Sequence, residues 1–150
     1  MPSTYTNLLY HIVFSTKDRI SLINEEFQEE LYRYIGGIIR AEGGVQLEIG
    51  GVSDHVHILA KIKPAIAVSE MLAKIKANSS KWANDHKMKM RKFGWQEGFA
   101  AFTVSESQAP AVVGYIRNQV EHHRVQSYQE EFVALLERHG IECDPQYLCD

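Results

Sequence analysis

VQLEIGGVSDHVHILAKI, residues 45–62, reads as two strands joined by the tight connection Val52-Ser53-Asp54. Val45 to Gly51 forms the first and His55 to Ile62 the second, and so short a joint makes them a hairpin. Pro64 stops the second strand. Upstream, Asn24 can cap a helix whose first turn holds Glu25 and Glu26, where the dipole favours acids. Phe27, Leu31, Tyr34, Ile35, Ile38 and Ile39 recur at helical spacing, and Gly43-Gly44 ends that helix. Before it, Tyr5 to Ser15 reads as a strand, followed by a polar connection from Lys17 to Asn24.

Downstream, the spacing predicts a long helix from Val68 to about Lys89, with Ser69 or the turn before it as cap. Its inner stripe is Val68, Met71, Leu72, Ile75, Ser79 and Trp82. Phe93 to Gly98 is a turn with two aromatic anchors, and Phe99 to Ser105 is a fourth strand. Ser105 or Ser107 can cap a third helix that carries Pro110 in its first turn and runs to about Val125. A short helix from Gln129 to His139 closes at Gly140. The order β-α-β-β-α-β makes an α+β, ferredoxin-like (RRM-like) antiparallel sheet with helices on one face, plus C-terminal helices. With no internal repeat and no linker, residues 1–150 read as one domain.

Hydrophobic residues make up 45% of the 150 and charged residues 23%, which excludes a disordered chain and a disulfide scaffold. No apolar run reaches the roughly 18 residues of a membrane helix, and no export signal is read. Cys143 and Cys149 read as free thiols, and a cytoplasmic setting is expected. The net charge of −3 hides an asymmetry. Between Lys61 and Lys92 nine basic residues face two acidic ones, a local +7 that leaves −10 for the rest. Lys61, Lys63, Lys74, Lys76 and Lys81 belong to this stripe. Either it meets phosphates, whose binding follows the local field, or it is a solvated helix face.

His55 and His57 lie two apart on one strand, so both point to one sheet face, about 6.6 Å apart. Two imidazoles on an open face can hold one metal ion, with Val56 packing opposite. His-x-His alone is a weak motif, and two partly exposed strand histidines are the plain alternative. Tyr115 and Gln119, four apart in YIRNQ, share a helix face about 6 Å apart along the axis, and His122 falls near it. Gln can offer a carbonyl oxygen to a hard cation, and a Tyr beside it would stay close to whatever the cation binds. The combination suits a phosphodiester nicking site, with the tyrosine attacking phosphorus and a divalent ion polarising the phosphate.

His55-Val56-His57, WQEGFAAFTVSES (Trp95 to Ser107), Tyr115-Ile116-Arg117-Asn118-Gln119 and Glu121-His122-His123 stand in that order. In content and spacing the chain resembles the single-domain tyrosine transposases of the IS200/IS605 family, including the REP-associated branch, within the HUH endonuclease superfamily. The resemblance runs from about Tyr5 to His139. It implies that His55, His57 and Gln119 bind a divalent ion, Mg²⁺ or Mn²⁺, and that Tyr115 forms a 5′-phosphotyrosine and leaves a 3′-hydroxyl. It further implies single-stranded DNA hairpins as substrate and a homodimer with active sites completed in trans, with no organic cofactor and no membrane. Arg117, His122 and His123 join the lysines as candidate DNA contacts, though His122 and His123 could equally support the ion or face solvent. Phe99 stands where many relatives have Tyr. A non-catalytic RRM-like nucleic-acid-binding module, a structural metal protein and a domesticated hairpin-binding relative remain as alternatives.

Overall fold

The computed structural model describes residues 3–144. Alternating apolar side chains build β1 (Leu9–Ser15), β3 (His55–Lys61) and β4 (Ala100–Val104), with β2 (Val45–Val52) as the more exposed edge. Helices α1 (Glu25–Ala41) and α2 (Val68–His86) fill the crossovers, and α3 (Ala109–Arg117), α4 (Gln119–His122) and α5 (Tyr128–Arg138) follow β4. Among the described residues the strands form one antiparallel sheet in the order β2-β3-β1-β4, the expected ferredoxin-like arrangement.

Period-two alternation splits the sheet into two apolar faces. Ile12, Phe14, Val56, Ile58 and Ala60 face α1 and α2, meeting Phe27, Leu31, Ile35, Ile39, Met71, Leu72 and Ile75. Leu9, Val13, Leu59 and Phe102 face the other way, so that side needs a cover too. Ile116 of α3 packs on Leu9 and Leu59, while Leu135 and Leu136 of α5 pack with Val13 and Phe102. The C-terminal helices therefore lie over the second face, and the expected open face for the histidines is not found: His55 and His57 are completely buried beneath them.

Local signals set the element ends. The Asn24 side chain accepts a hydrogen bond from the Phe27 amide at 3.0 Å and starts α1. Gly43, at φ +81°, ends it. The caps expected from Ser69 and Ser105 or Ser107 are absent. Ala67 precedes α2 with no side-chain bond, and a 3-10 turn, Glu106–Gln108, separates Ser105 from α3. The single helix expected as far as Val125 is broken at Asn118 (φ −93°, ψ 19°), a residue whose side chain competes with helical bonding. Gln119 stays four residues from Tyr115 but turns inward. Among the described residues no helix is long and apolar enough to cross a membrane. Cys143 is a half-buried free thiol, and Cys149 lies outside the described residues.

Two details place α3 on the sheet. Gly50 of β2 lies under the Ile116 backbone, and a Cβ there would stand 2.5 Å from the Ile116 carbonyl oxygen. Only glycine permits that approach. On the α2 side, Phe14, Phe93 and Trp95 form an edge-to-face cluster, and Trp95 Nε1 donates to Ser79 Oγ at 2.9 Å. Gln96, next in sequence, reaches back over β1: its Oε1 accepts from the Ser15 amide at 2.5 Å and from the Tyr128 hydroxyl at 3.5 Å.

Candidate metal centre and nucleophile

Alternation on β3 sends His55 and His57 to the α3–α5 side, with ring centroids 5.2 Å apart. Each has a partner on its far nitrogen. His55 Nδ1 is 2.7 Å from Asp54 Oδ1, and His57 Nδ1 shares a 2.9 Å hydrogen bond with His11 Nε2. These bonds orient both rings so that each Nε2 points into one buried space. Tyr128 covers His55, ring to ring at 4.5 Å.

Into that space come the helices. Gln119 Oε1 lies 3.1 Å from His55 Nε2 and 3.1 Å from His123 Nε2. Tyr115 sits above, its ring 5.7 Å from His57 and 5.2 Å from His122. Glu131 of α5, 1% exposed, occupies the centre. Its Oε1 stands 2.9 Å from His57 Nε2, 3.0 Å from His123 Nε2 and 3.5 Å from His55 Nε2. Its Oε2 accepts from the Tyr115 hydroxyl and, at 3.0 Å, from Gln119 Nε2. His122 Nε2 is buried with no hydrogen-bond partner, 3.4 Å from that same Oε2.

The charges follow from burial and pairing. Burial opposes ionisation of Glu131, but hydrogen bonds from His55 and His57 outweigh it and hold the carboxyl far below its usual range. Burial also disfavours a charged His55, yet Asp54 and Glu131 raise its pKa to about 9. For His57 burial dominates, lowering it to about 4, and for His11 burial and the His57 charge lower it to about 3. The Tyr115 hydroxyl is pushed above its ordinary value by burial and by the Glu131 carboxylate it bonds.

The cluster fits a divalent cation. Donors held ~2.1 Å from one ion stand roughly 3.0–3.5 Å apart. The Nε2 atoms of His55 and His123 already stand 3.1 Å from Gln119 Oε1. Ligand atoms of His55, His57, His123 and Glu131 all lie within 4.8 Å of one another. The His122 Nε2 at the rim is a further ring nitrogen facing the cluster, with no hydrogen-bond partner and 3.4 Å from Glu131 Oε2.

Of the residues expected from sequence, Tyr115, His55, His57, Gln119, His122 and His123 therefore converge. The lysines do not join them. α2 packs the opposite sheet face, and its side chains have local partners. Lys74 pairs with Glu42 at 3.0 Å and Lys81 with Asp85 at 2.8 Å. Lys76 donates to the carbonyls of Gln96, Glu97 and Gly98 at 2.9, 3.2 and 2.5 Å, and burial lowers its pKa to about 8. Lys61 and Lys63 are exposed at the end of β3 and just beyond it, and Arg117 pairs with Glu48 at 2.7 Å. Sequence reasoning missed Glu131, His11 and Asp54. Asp54 directly precedes the His-x-His, and His11 alternates with apolar residues on β1; Glu131 carries no such signal.

Known proteins resemble this chain in sequence and in fold. Residues 4–119 match the family described as transposase IS200 like. The chain is 30% identical over 132 residues to the transposases for insertion sequence element IS200 of Salmonella typhimurium and Salmonella typhi, covering 81% of this chain and 83% of each relative. Two solved structures share the fold. A candidate transposase from Deinococcus radiodurans R1 aligns at TM-score 0.62 and 22% identity over 79% of this chain and 95% of its own. A REP-associated tyrosine transposase bound to a REP hairpin aligns at TM-score 0.60 and 16% identity over 81% of this chain and 73% of its own. By the family match over residues 4–119 and the identity to these relatives, the chain belongs to the IS200-like transposase family and is an enzyme that acts on DNA.

Proposed function

We propose that this chain cuts and rejoins single-stranded DNA through a covalent tyrosine intermediate, at element ends marked by hairpins. The observation that carries the reading is the meeting of the Tyr115 hydroxyl with a buried imidazole cluster that can take a divalent ion. The Tyr115 oxygen attacks phosphorus and the bond from phosphorus to the 3′ oxygen breaks. That oxygen leaves with the electron pair and becomes a 3′-hydroxyl, and the proton it gains balances the phenolic proton that Tyr115 gives up. The product, a 5′-phosphotyrosine, keeps the energy of the broken linkage, so a second 3′-hydroxyl can reverse the step without ATP and without an organic cofactor. His55, His57 and Gln119 are the residues that would hold Mg²⁺ or Mn²⁺, which when bound polarises the scissile phosphate. In the metal-free chain the raised Tyr115 hydroxyl stays protonated across the neutral range.

Hairpin recognition is supported by the REP hairpin bound to one structural relative and by the basic stripe. Lys61, Lys63, Lys74, Lys76, Lys81 and Arg117 are the proposed phosphate contacts, with His122 and His123 nearer the scissile position. The chain acts in the cytoplasm as a homodimer in which α3 exchanges between protomers, so that Tyr115 also reaches the partner's histidine pair. Within one chain Tyr115 and Gln119 meet their own histidines. The test is incubation of purified protein with single-stranded DNA from the flanks of its own gene and Mg²⁺ or Mn²⁺. Denaturing electrophoresis should show a covalent adduct that Tyr115→Phe abolishes; undiminished cleavage by that variant would refute the assignment.

A further inference from the structure

We propose that the metal centre is completed by the C-terminal segment: His123 and Glu131 join His55, His57 and Gln119 as ligands, so that the ion fastens α5 to the sheet. The inference rests on the proposed function, because it concerns the same ion. It goes beyond it, because His123 and Glu131 lie past residue 119, where the match to the family ends.

The distances carry it. Glu131 Oε1 stands 2.9, 3.0 and 3.5 Å from the Nε2 atoms of His57, His123 and His55. These separations equal the spacing between neighbouring ligands around a first-row divalent ion, roughly 3.0–3.5 Å. His123 Nε2 stands at the same spacing from Gln119 Oε1, 3.1 Å. The ligand atoms of the three imidazoles and the carboxylate lie within 4.8 Å of one another, and the Gln119 oxygen adjoins two of the imidazoles, which makes five donors in one cluster. Three of the five, Gln119, His123 and Glu131, come from the segment after α3, and the last two lie past residue 119.

The helix is built to deliver the carboxylate. Ser127 caps α5 by accepting from the Glu130 amide at 3.2 Å, and Tyr128, Leu135 and Leu136 are its buried anchors. Glu131, one turn in from the cap, is thereby held inside the cluster. Its second oxygen faces Tyr115 and Gln119. Glu131 therefore links the ion to the nucleophile as a positioning residue: one oxygen is in the ligand set, the other sets where the hydroxyl points. One carboxylate against a divalent ion leaves a net positive charge to draw a phosphate. The nitrogen-rich donor set favours Mn²⁺ over Mg²⁺, which prefers all-oxygen shells.

Calorimetric titration of the full chain with Mn²⁺ tests this, comparing wild type with Glu131→Gln, His123→Ala and His57→Ala. Amide hydrogen exchange across α5 with and without Mn²⁺ gives a readout independent of activity. Glu131→Gln and His123→Ala should each weaken Mn²⁺ at least tenfold, and Mn²⁺ should slow exchange across α5 in the wild type but not in Glu131→Gln. Should Glu131→Gln fold poorly, Glu131→Asp keeps the charge, shortens the reach by one methylene and is expected to lose the same affinity. Wild-type Mn²⁺ affinity in the Glu131 and His123 variants, with loss in His57→Ala, overturns the inference and leaves the proposed function standing. Wild-type affinity in His57→Ala removes the site itself, and both readings fall.

Discussion

Tyr115 donates its hydroxyl hydrogen to Glu131, sixteen residues further along the chain and on a different helix. This bond joins the proposed nucleophile to the one carboxylate at the centre of the imidazoles, and so couples α3 to α5 through the site. Tyr115→Phe should therefore do more than remove a nucleophile. It leaves a buried carboxylate short of one donor, and hydrogen bonds to charged groups contribute about 1.5–3 kcal/mol. Urea unfolding of the metal-free variant should show a loss in that range, and a stability equal to wild type would show that the bond contributes nothing.

His57→Ala should abolish metal-dependent nicking and also destabilise the fold. The side chain is fully buried and pairs with both His11 and Glu131. Its removal opens a cavity and deprives a buried charge of a partner, a combination worth about 2–4 kcal/mol. A fall in thermal midpoint measured in EDTA checks this. An unchanged midpoint would return His57 to the open face that its position on β3 first suggested.

The metal-free protein should be most stable near pH 6.5. His57 and His11 are lowered to about 4 and about 3 in the fold, so the unfolded chain binds more protons below pH 6.5 and stability is lost as pH falls. Glu131, held far below its usual range, steepens that loss once pH drops past about 4.5. His55 is raised to about 9, so its stabilisation is present below pH 6.5 and is lost as pH rises towards 9. Thermal unfolding from pH 4 to 9 in EDTA should trace this maximum; a flat basic limb would show that His55 is not charged in the fold.

Replacing Lys61, Lys63, Lys74 and Lys81 with Ala should flatten the salt dependence of hairpin binding. The log–log slope should fall by about 0.7–0.9 for each phosphate that the protein no longer neutralises. Lys76→Ala should in addition lower stability, because its ammonium ties together three carbonyls before β4. An unchanged slope in the fourfold variant would make the stripe a solvated face.

Mixing His57→Ala with Tyr115→Phe should restore partial cleavage once subunits exchange. In a heterodimer with exchanged α3 helices, one of the two sites holds an intact tyrosine and an intact histidine pair. No rescue, with heterodimers shown by native mass spectrometry, would fix each site within one protomer.

The sheet order and both crossover helices were legible because their signals are local: alternation in HVHILA, the 3.6-residue stripe from Phe27 to Ile39, the Asn24 cap. Burial of the histidines was legible in principle. Leu9, Val13 and Leu59 share their face, and a strand apolar on both faces is buried on both. Glu131 was not legible, because an acid in the first turn of a helix reads as a complement to the dipole. Only the docking of Leu135 and Leu136 against Val13 and Phe102 turns that acid inward. The break at Asn118 was hidden similarly: its neighbours keep helical spacing, and the inward turn of Gln119 is settled by the imidazoles it meets.

Gly50 bears no chemistry and lies on the edge strand β2, where its backbone pairs in register with His57. Yet the Ile116 carbonyl rests directly on it, one residue from Tyr115. Even the smallest side chain at position 50 would act as a shim under α3, lifting the hydroxyl away from the histidines by the thickness of a methyl group. The reach of the reactive oxygen is thus gauged from the strand beside the histidines by a bare backbone, at a position that a search for catalytic residue types would pass over.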